Sequence, residues 1–339
     1  MFTLKNTHFT MKRNLTYAVG ILATAMLIAS CGKDYSSNPV GDPSKLNALF
    51  ADLKPNPQVL TVTAGTAAKV AGAGGTQLSF YPNSFKDASG HIITSGTVTL
   101  QLTEMYSTGD MIANRASTMA AGKILQSGGQ INLNATVNGV KVFANVYGVQ
   151  FLQQTLSSSP MNIFYGANNN VDSVVTWKNG ADTSRAGTIA WGTTNVGGQD
   201  LYIFDSCTEF GWTNCDQFYN TDSPLTSVSV IFPEKVYTPS NTQIYLVLPD
   251  TKSVMSNVEP GPGTGGQAYN ATTNTMTLIS EDRIDIVPTG TKYKFIAISK
   301  VNGSYYYFQQ VGIVSPKVVV KANMAPKTKA EVTALLKAL

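Results

Sequence analysis

Two places in this chain set Asn-Gly between runs in which apolar and polar residues alternate, and that arrangement narrows the fold more than any other feature. Val98, Leu100 and Leu102 alternate with Thr97, Thr99, Gln101 and Thr103; Ile131, Leu133, Ala135 and Val137 repeat the pattern. Asn138-Gly139 then leads into Val140-Lys141-Val142-Phe143. A period of two sends one set of side chains to the covered face of a sheet and the other to solvent. A two-residue hairpin turn needs positive φ at both central positions, which Asn and Gly tolerate. Tyr293 to Val301, Asn302-Gly303 and Ser304 to Gln309 form the second such unit. The same reasoning predicts strands at Leu201-Phe204, Val228-Phe232, Ile244-Val247, Thr275-Ile279, Ile284-Val287 and Val318-Lys321. No amphipathic helix of length appears until Thr328-Lys329-Ala330-Glu331, which has the form of a capping box. Val332, Leu335, Leu336 and Leu339 follow as one apolar stripe, read as a lid on the last sheet. Strands without intervening helices imply sandwiches rather than a βαβ fold. The expectation is an all-β chain of two antiparallel β-sandwich-like domains with a short C-terminal helix.

The N-terminal region has the parts of an export signal: basic Lys12-Arg13 after Met11, an apolar core from Leu15 to Ile28, and small residues before a cleavage point. Leu27-Ile28-Ala29-Ser30-Cys31 resembles the lipobox of bacterial lipoproteins, which implies that Cys31 carries lipid and becomes the mature N-terminus. The competing readings fit less well. A spanning helix needs roughly 20 apolar residues, and an ordinary cleavage site prefers a smaller residue than Ile28. Met1 and Met11 both remain open as the start. Residues 1–30 are thus read as signal, and 31–57 as a flexible tether with a short helical possibility at Leu46 to Leu53. Such a coil reaches on the order of 25–30 Å. A first β domain is expected at 58–205, a second at 206–322 and the C-terminal helix in 323–339, with the boundary set by a composition shift around Val196 to Asp222.

Charge excludes one class of partner. The net charge of +4 includes Lys5, Lys12 and Arg13 of the signal, so the remainder stands near +1, and only 13% of residues are charged. That composition has no electrostatic footprint for nucleic acid. After Cys31 only Cys207 and Cys215 remain, and an even pair outside the cytoplasm is expected to be disulfide-bonded. The C-x7-C spacing suits neither a redox site nor a zinc site.

Candidate chemistry is sparse. Gly261-Pro262-Gly263-Thr264-Gly265-Gly266 matches G-x-G-x-x-G, but Pro262 and the lack of a following helix make it a loop rather than a phosphate cradle. His91 is the one histidine after the signal and sits beside a Ser89-Gly90 turn, without a companion for metal binding or general-base work. Glu104, Asp110, Asp205, Glu209, Asp216 and the Glu281-Asp282 turn are the acids that could pair for glycoside hydrolysis. Nothing in the spacing brings two of them together. No cofactor, metal or catalytic set is expected. The suggestive surface feature is Tyr305-Tyr306-Tyr307-Phe308, in which Tyr305 and Tyr307 share one face of a strand and Tyr306 the other. One face must be core; the other could stack a sugar ring or serve as plain sheet surface. Trp177, Trp191 and Trp212 carry the same ambiguity, with packing preferred.

Leu78-Ser79-Phe80-Tyr81-Pro82-Asn83-Ser84-Phe85, Gly96-Thr97-Val98-Thr99-Leu100 and Gly122-Lys123-Ile124-Leu125-Gln126-Ser127-Gly128-Gly129 resemble the first β domain of uncharacterised lipoproteins of the Bacteroidota. Gly211-Trp212-Thr213-Asn214-Cys215-Asp216-Gln217-Phe218 resembles the segment that introduces their second domain, and the first half is distantly similar to ZU5-type modules. The resemblance implies architecture and an outer-membrane, lipid-anchored location, and no activity. Lys33-Asp34 partly matches the surface-export signal of that group, which favours the cell surface over the periplasmic face. The functional expectation is a non-catalytic envelope lipoprotein making structural or protein contacts. A glycan-binding surface lipoprotein is the alternative, and a glycoside hydrolase comes third.

Overall fold

Asn138 and Gly139 take φ of +50° and +78°, and Asn302 and Gly303 take +50° and +83°, so both Asn-Gly turns close the hairpins expected of them. The structure is a computed structural model that describes residues 43–153, 161–166, 175–179, 189–196, 199–256, 268–280 and 283–339. The first hairpin joins Lys123–Val137 to Val140–Ala144, and the second joins Lys292–Val301 to Ser304–Ile313. Around them the chain builds an all-β fold.

Lys123–Val137 is the spine of the first sheet. Thr97–Met105 lies on one side of it with Gln58–Thr63 beyond; Gly211–Phe218 lies on the other, followed by Asn162–Gly166, Val175–Asn179 and Ala116–Ala120. A five-stranded sheet runs Ile189–Val196, Gln199–Cys207, Tyr147–Gln153, Gln77–Phe80 and Ala68–Ala71. Leu100, Leu102, Ile131 and Leu133 of the first sheet share a core with Leu78, Phe80, Val149, Phe151 and Phe204 of the second. The C-terminal half repeats the plan. Its larger sheet orders Ser253–Ser256, Thr242–Leu248, Lys292–Val301, Ser304–Ile313 and Ala325–Lys327. The smaller orders Ala268–Asn270, Thr275–Thr277, Val228–Ile231 and Val318–Lys321. Val230, Met276, Val320, Leu246 and Phe295 fill the space they share.

Several details depart from the sequence expectations. Two strand pairs are parallel, Val175–Asn179 with Ala116–Ala120 and Val228–Ile231 with Val318–Lys321. Alternation within a strand says nothing about the direction of its partner. Gly211–Phe218, placed after the expected boundary at 206, hydrogen-bonds to Lys123–Val137 and Asn162–Gly166, so the first sheet draws chain as far as Phe218. Ile284 to Val287 contributes only the two-residue strand Val287–Pro288. The described residues belong to one compact unit.

The far part of the expected tether is helical. Pro43–Leu53 forms α1, with proline in the first turn, where its missing N–H costs nothing. Leu46, Leu49, Phe50 and Leu53 fall at i, i+3, i+4 and i+7 and are all buried. An isolated helix of eleven residues is marginal in water. Each of these side chains contributes about 1.5–3 kcal/mol when buried, so docking is what makes the helix. The residues it docks against include Tyr245, Ile296 and Ile298 of the C-terminal sheet, in a third core cluster completed by α2 (Thr108–Ala113) and α3 (Lys329–Lys337). Ser107 and Asp110 cap α2 reciprocally, and Thr328 and Glu331 cap α3 as expected. The two helices touch closely: a Cβ on Gly109 would lie 1.8 Å from the Leu336 carbonyl oxygen, so only glycine fits.

Candidate functional site

Register on the second hairpin decides what its aromatics do. Tyr305 pairs with Lys300, and Tyr307 with Ile298, on the face that receives α1 and α3. Tyr305 and Tyr307 are 8% and 5% exposed. The Tyr305 hydroxyl donates to Asp52 Oδ2 of α1 at 2.6 Å, and Lys300 pairs with the same carboxylate while lying 5.1 Å from the Tyr305 ring centre. Hydrogen bonds from Lys300, then Tyr305, hold the Asp52 carboxyl below its ordinary range, and the Asp52 bond raises Lys300. Tyr307 donates to Gln309 at 2.8 Å. Tyr306 is half-buried on the opposite face, its ring 5.5 Å from that of Tyr237 and edge-on to it. The rings considered for ligand stacking are therefore taken up in packing: Tyr305 and Tyr307 cannot offer a face to a sugar without displacing helices. The Tyr305 hydroxyl ties this strand to α1, and the sequence alone does not show that the helix docks there.

The tryptophans divide similarly. Trp177 is buried and donates from Nε1 to the Ser117 carbonyl at 2.6 Å. Trp212 is partly buried with Lys54 5.7 Å above its ring. The side chain of Trp191 lies outside the described residues, as do Cys31, the 261–266 glycine run and the Glu281-Asp282 turn.

The remaining acids serve the framework. Glu104 accepts from Gln58 Nε2 at 2.7 Å and from the backbone amides of Gly74 at 2.6 Å and Thr76 at 2.7 Å. It holds the turn between Ala68–Ala71 and Gln77–Phe80 so closely that a Cβ on Gly72 would come within 2.5 Å of the carboxyl. Asp110 is spent on the α2 cap. Asp205 and Glu209 are exposed. Asp216 is fully buried, accepting from Gly128 N at 3.2 Å and Asn214 Nδ2 at 2.6 Å, and burial pushes its carboxyl up to about 7. His91 is exposed, its Nδ1 3.3 Å from Asp87 in the turn where the sequence put it. Among the described residues no three His, Cys, Asp or Glu side chains gather as a metal site.

Cys207 and Cys215 are both completely buried in the core of the first sandwich. They are free thiols in this structure, without the bond expected between them. Burial pushes Cys207 up to about 12 and Cys215 well above its ordinary value, so neither is a thiolate near neutral pH.

One exposed surface stands apart, and the sequence reading missed it. Beyond Gln309 the strand Ser304–Ile313 leaves the cover of the helices, and Val311 and Ile313 are each 66% exposed. They face the same way as Tyr305 and Tyr307, and their cross-strand partners are Lys294 and Lys292. The signal was the continued alternation past Gln309, where one face turns from core to solvent. Three acids among the lysines here are already paired: Asp52 with Lys300, Asp250 with Lys292 at 3.8 Å and Glu331 with Lys327 at 3.8 Å. Comparison with family models, with curated proteins and with solved structures finds no match.

Proposed function

We propose that this is a lipid-anchored protein of the cell envelope, held at the outer membrane through Cys31, with a non-catalytic role in structural or protein contacts. The observation that carries the reading is Leu27-Ile28-Ala29-Ser30-Cys31 behind an apolar run, only twelve residues before the docked α1. Fully extended, twelve residues span at most roughly 40 Å, so the folded body would stay at the bilayer surface. No helix among the described residues is long and apolar enough to cross a membrane, which leaves the lipid as the anchor this reading needs. The non-catalytic part rests on how the acids are used: Glu104 fastens a turn, Asp110 caps a helix and Asp52 latches one to a sheet. Glycan binding loses its platform with Tyr305 and Tyr307 in the core. The test is Cys31→Ala in the full chain. Acyl labelling should vanish and the protein should leave the membrane pellet, because the acyl chains supply the anchoring energy at about 0.8 kcal/mol per methylene. A variant that stays in the pellet after a carbonate wash overturns the anchor.

A further inference from the structure

We infer that the helix-bearing face of the C-terminal sheet is a membrane-docking surface, which lies on anionic lipid headgroups with Val311 and Ile313 entering the interface. The inference rests on the lipid anchor proposed above and adds to it which side of the body meets the bilayer.

Three observations converge on that face. The first is apolar: Val311 and Ile313 stand side by side on one strand face, two-thirds exposed, in a position where solvent gives a β-branched side chain no partner. The second is charge. Lys294, half-buried, sits across from Val311, Lys329 and Lys337 are exposed on α3, and Lys45 lies two turns before Asp52 on the same side of α1. These four lysines form no salt bridge among the described residues; Asp52, Asp250 and Glu331 are each matched to another lysine, and Asp110 of α2 is engaged by its helix cap. Four lysines outside any salt bridge on one face are notable in a chain that stands near +1 once the signal is set aside. The third is attachment: α1, the element that follows the Cys31 segment, is packed on this same face against Ile296 and Ile298.

Each observation fits an anionic lipid surface. A juxtamembrane lysine strengthens binding to anionic lipid roughly five-fold, and an apolar side chain flanked by lysines is the composition of an interfacial contact. A leash of twelve residues keeps the local lipid concentration high, so individually weak contacts suffice.

Lysine footprinting of the full lipidated protein, reconstituted into vesicles, tests this. A brief pulse of an amine-acetylating reagent is read by peptide mass spectrometry in phosphatidylcholine vesicles and in vesicles containing phosphatidylglycerol. Labelling of Lys45, Lys294, Lys329 and Lys337 should fall by about three-fold or more in the anionic vesicles and recover in high salt. Lys69 and Lys141, exposed on the first sandwich, should label equally in both. Val311→Ser with Ile313→Ser, at exposed positions that leave the core intact, should weaken the protection. Equal labelling of all lysines, or protection of Lys69 and Lys141 instead, overturns the docking face. The same peptide maps show whether Cys31 carries acyl mass. Its absence overturns the anchor and the docking together, whereas acylated protein with uniform labelling overturns the docking face alone.

Discussion

Asp216 is a carboxylate enclosed on all sides, and it gives the first sandwich a pH dependence that can be worked out in sign. An aspartate in the unfolded chain ionises near 3.9; burial moves Asp216 up to about 7 in the fold. Between those values the native chain holds a proton that the unfolded chain has lost, so stability falls as pH rises, by about 1.4 kcal/mol per unit. The contribution is complete below about 3.9 and gone above about 7. Asp216→Asn should abolish this slope. The Asn214 side chain can turn to meet the new amide, because its Oδ1 has no donor in the native arrangement. Denaturant titrations from pH about 4 to about 7 should show wild type losing stability relative to the variant; parallel curves would refute the assignment. The sequence had Asp216 among its acids, but not its burial. Glu104 was legible only as a residue type, since the amides it binds lie 30 and 28 positions away. Alternation leaves Tyr305 open between core and stacking surface, because the partner that decides it, Asp52, lies 253 residues off.

At the scale of elements, local chemistry was readable wherever the physics was local. The Asn-Gly turns state their backbone angles, and the Thr328-to-Glu331 box states the start of α3. α2 escaped because six residues carry no periodic stripe, and its cap uses Asp110 rather than Glu or Gln. α1 was visible as a short helical possibility at Leu46 to Leu53; what it docks on was not, because its stripe meets strands some 200 residues later. Its attachment has an apolar part and a polar latch of Asp52, Lys300 and Tyr305. Asp52 is half-exposed, so the latch contributes about 1 kcal/mol or less. Asp52→Ala should therefore speed amide exchange across α1 while leaving the strands of the first sandwich unchanged. Unaltered exchange in residues 43–53 would show that the apolar stripe alone holds the helix.

For the whole molecule, period-two alternation was enough to fix the class, and ran out at the joint between the halves. A composition shift suggested two domains meeting near residue 206. Instead, Gly211–Phe218 is woven into the first sheet, and the third core cluster takes Ile112, Phe164 and Trp177 from one half and Tyr245, Ile296 and Val332 from the other. Neither sandwich can lose its fold without exposing that shared cluster. Phe50 of α1 is the residue to test, since its ring meets Tyr245 edge-on at 6.2 Å and Arg115 of the first half sits 5.3 Å above it. Calorimetry should give one unfolding transition for the body from residue 43 onward, with the two-state enthalpy ratio of a single cooperative unit. Phe50→Ala should lower that transition as a whole, by about 3–5 kcal/mol for a large buried ring. Two separate peaks, with only one of them moved by the substitution, would mean that the halves unfold independently and that the shared cluster does not couple them.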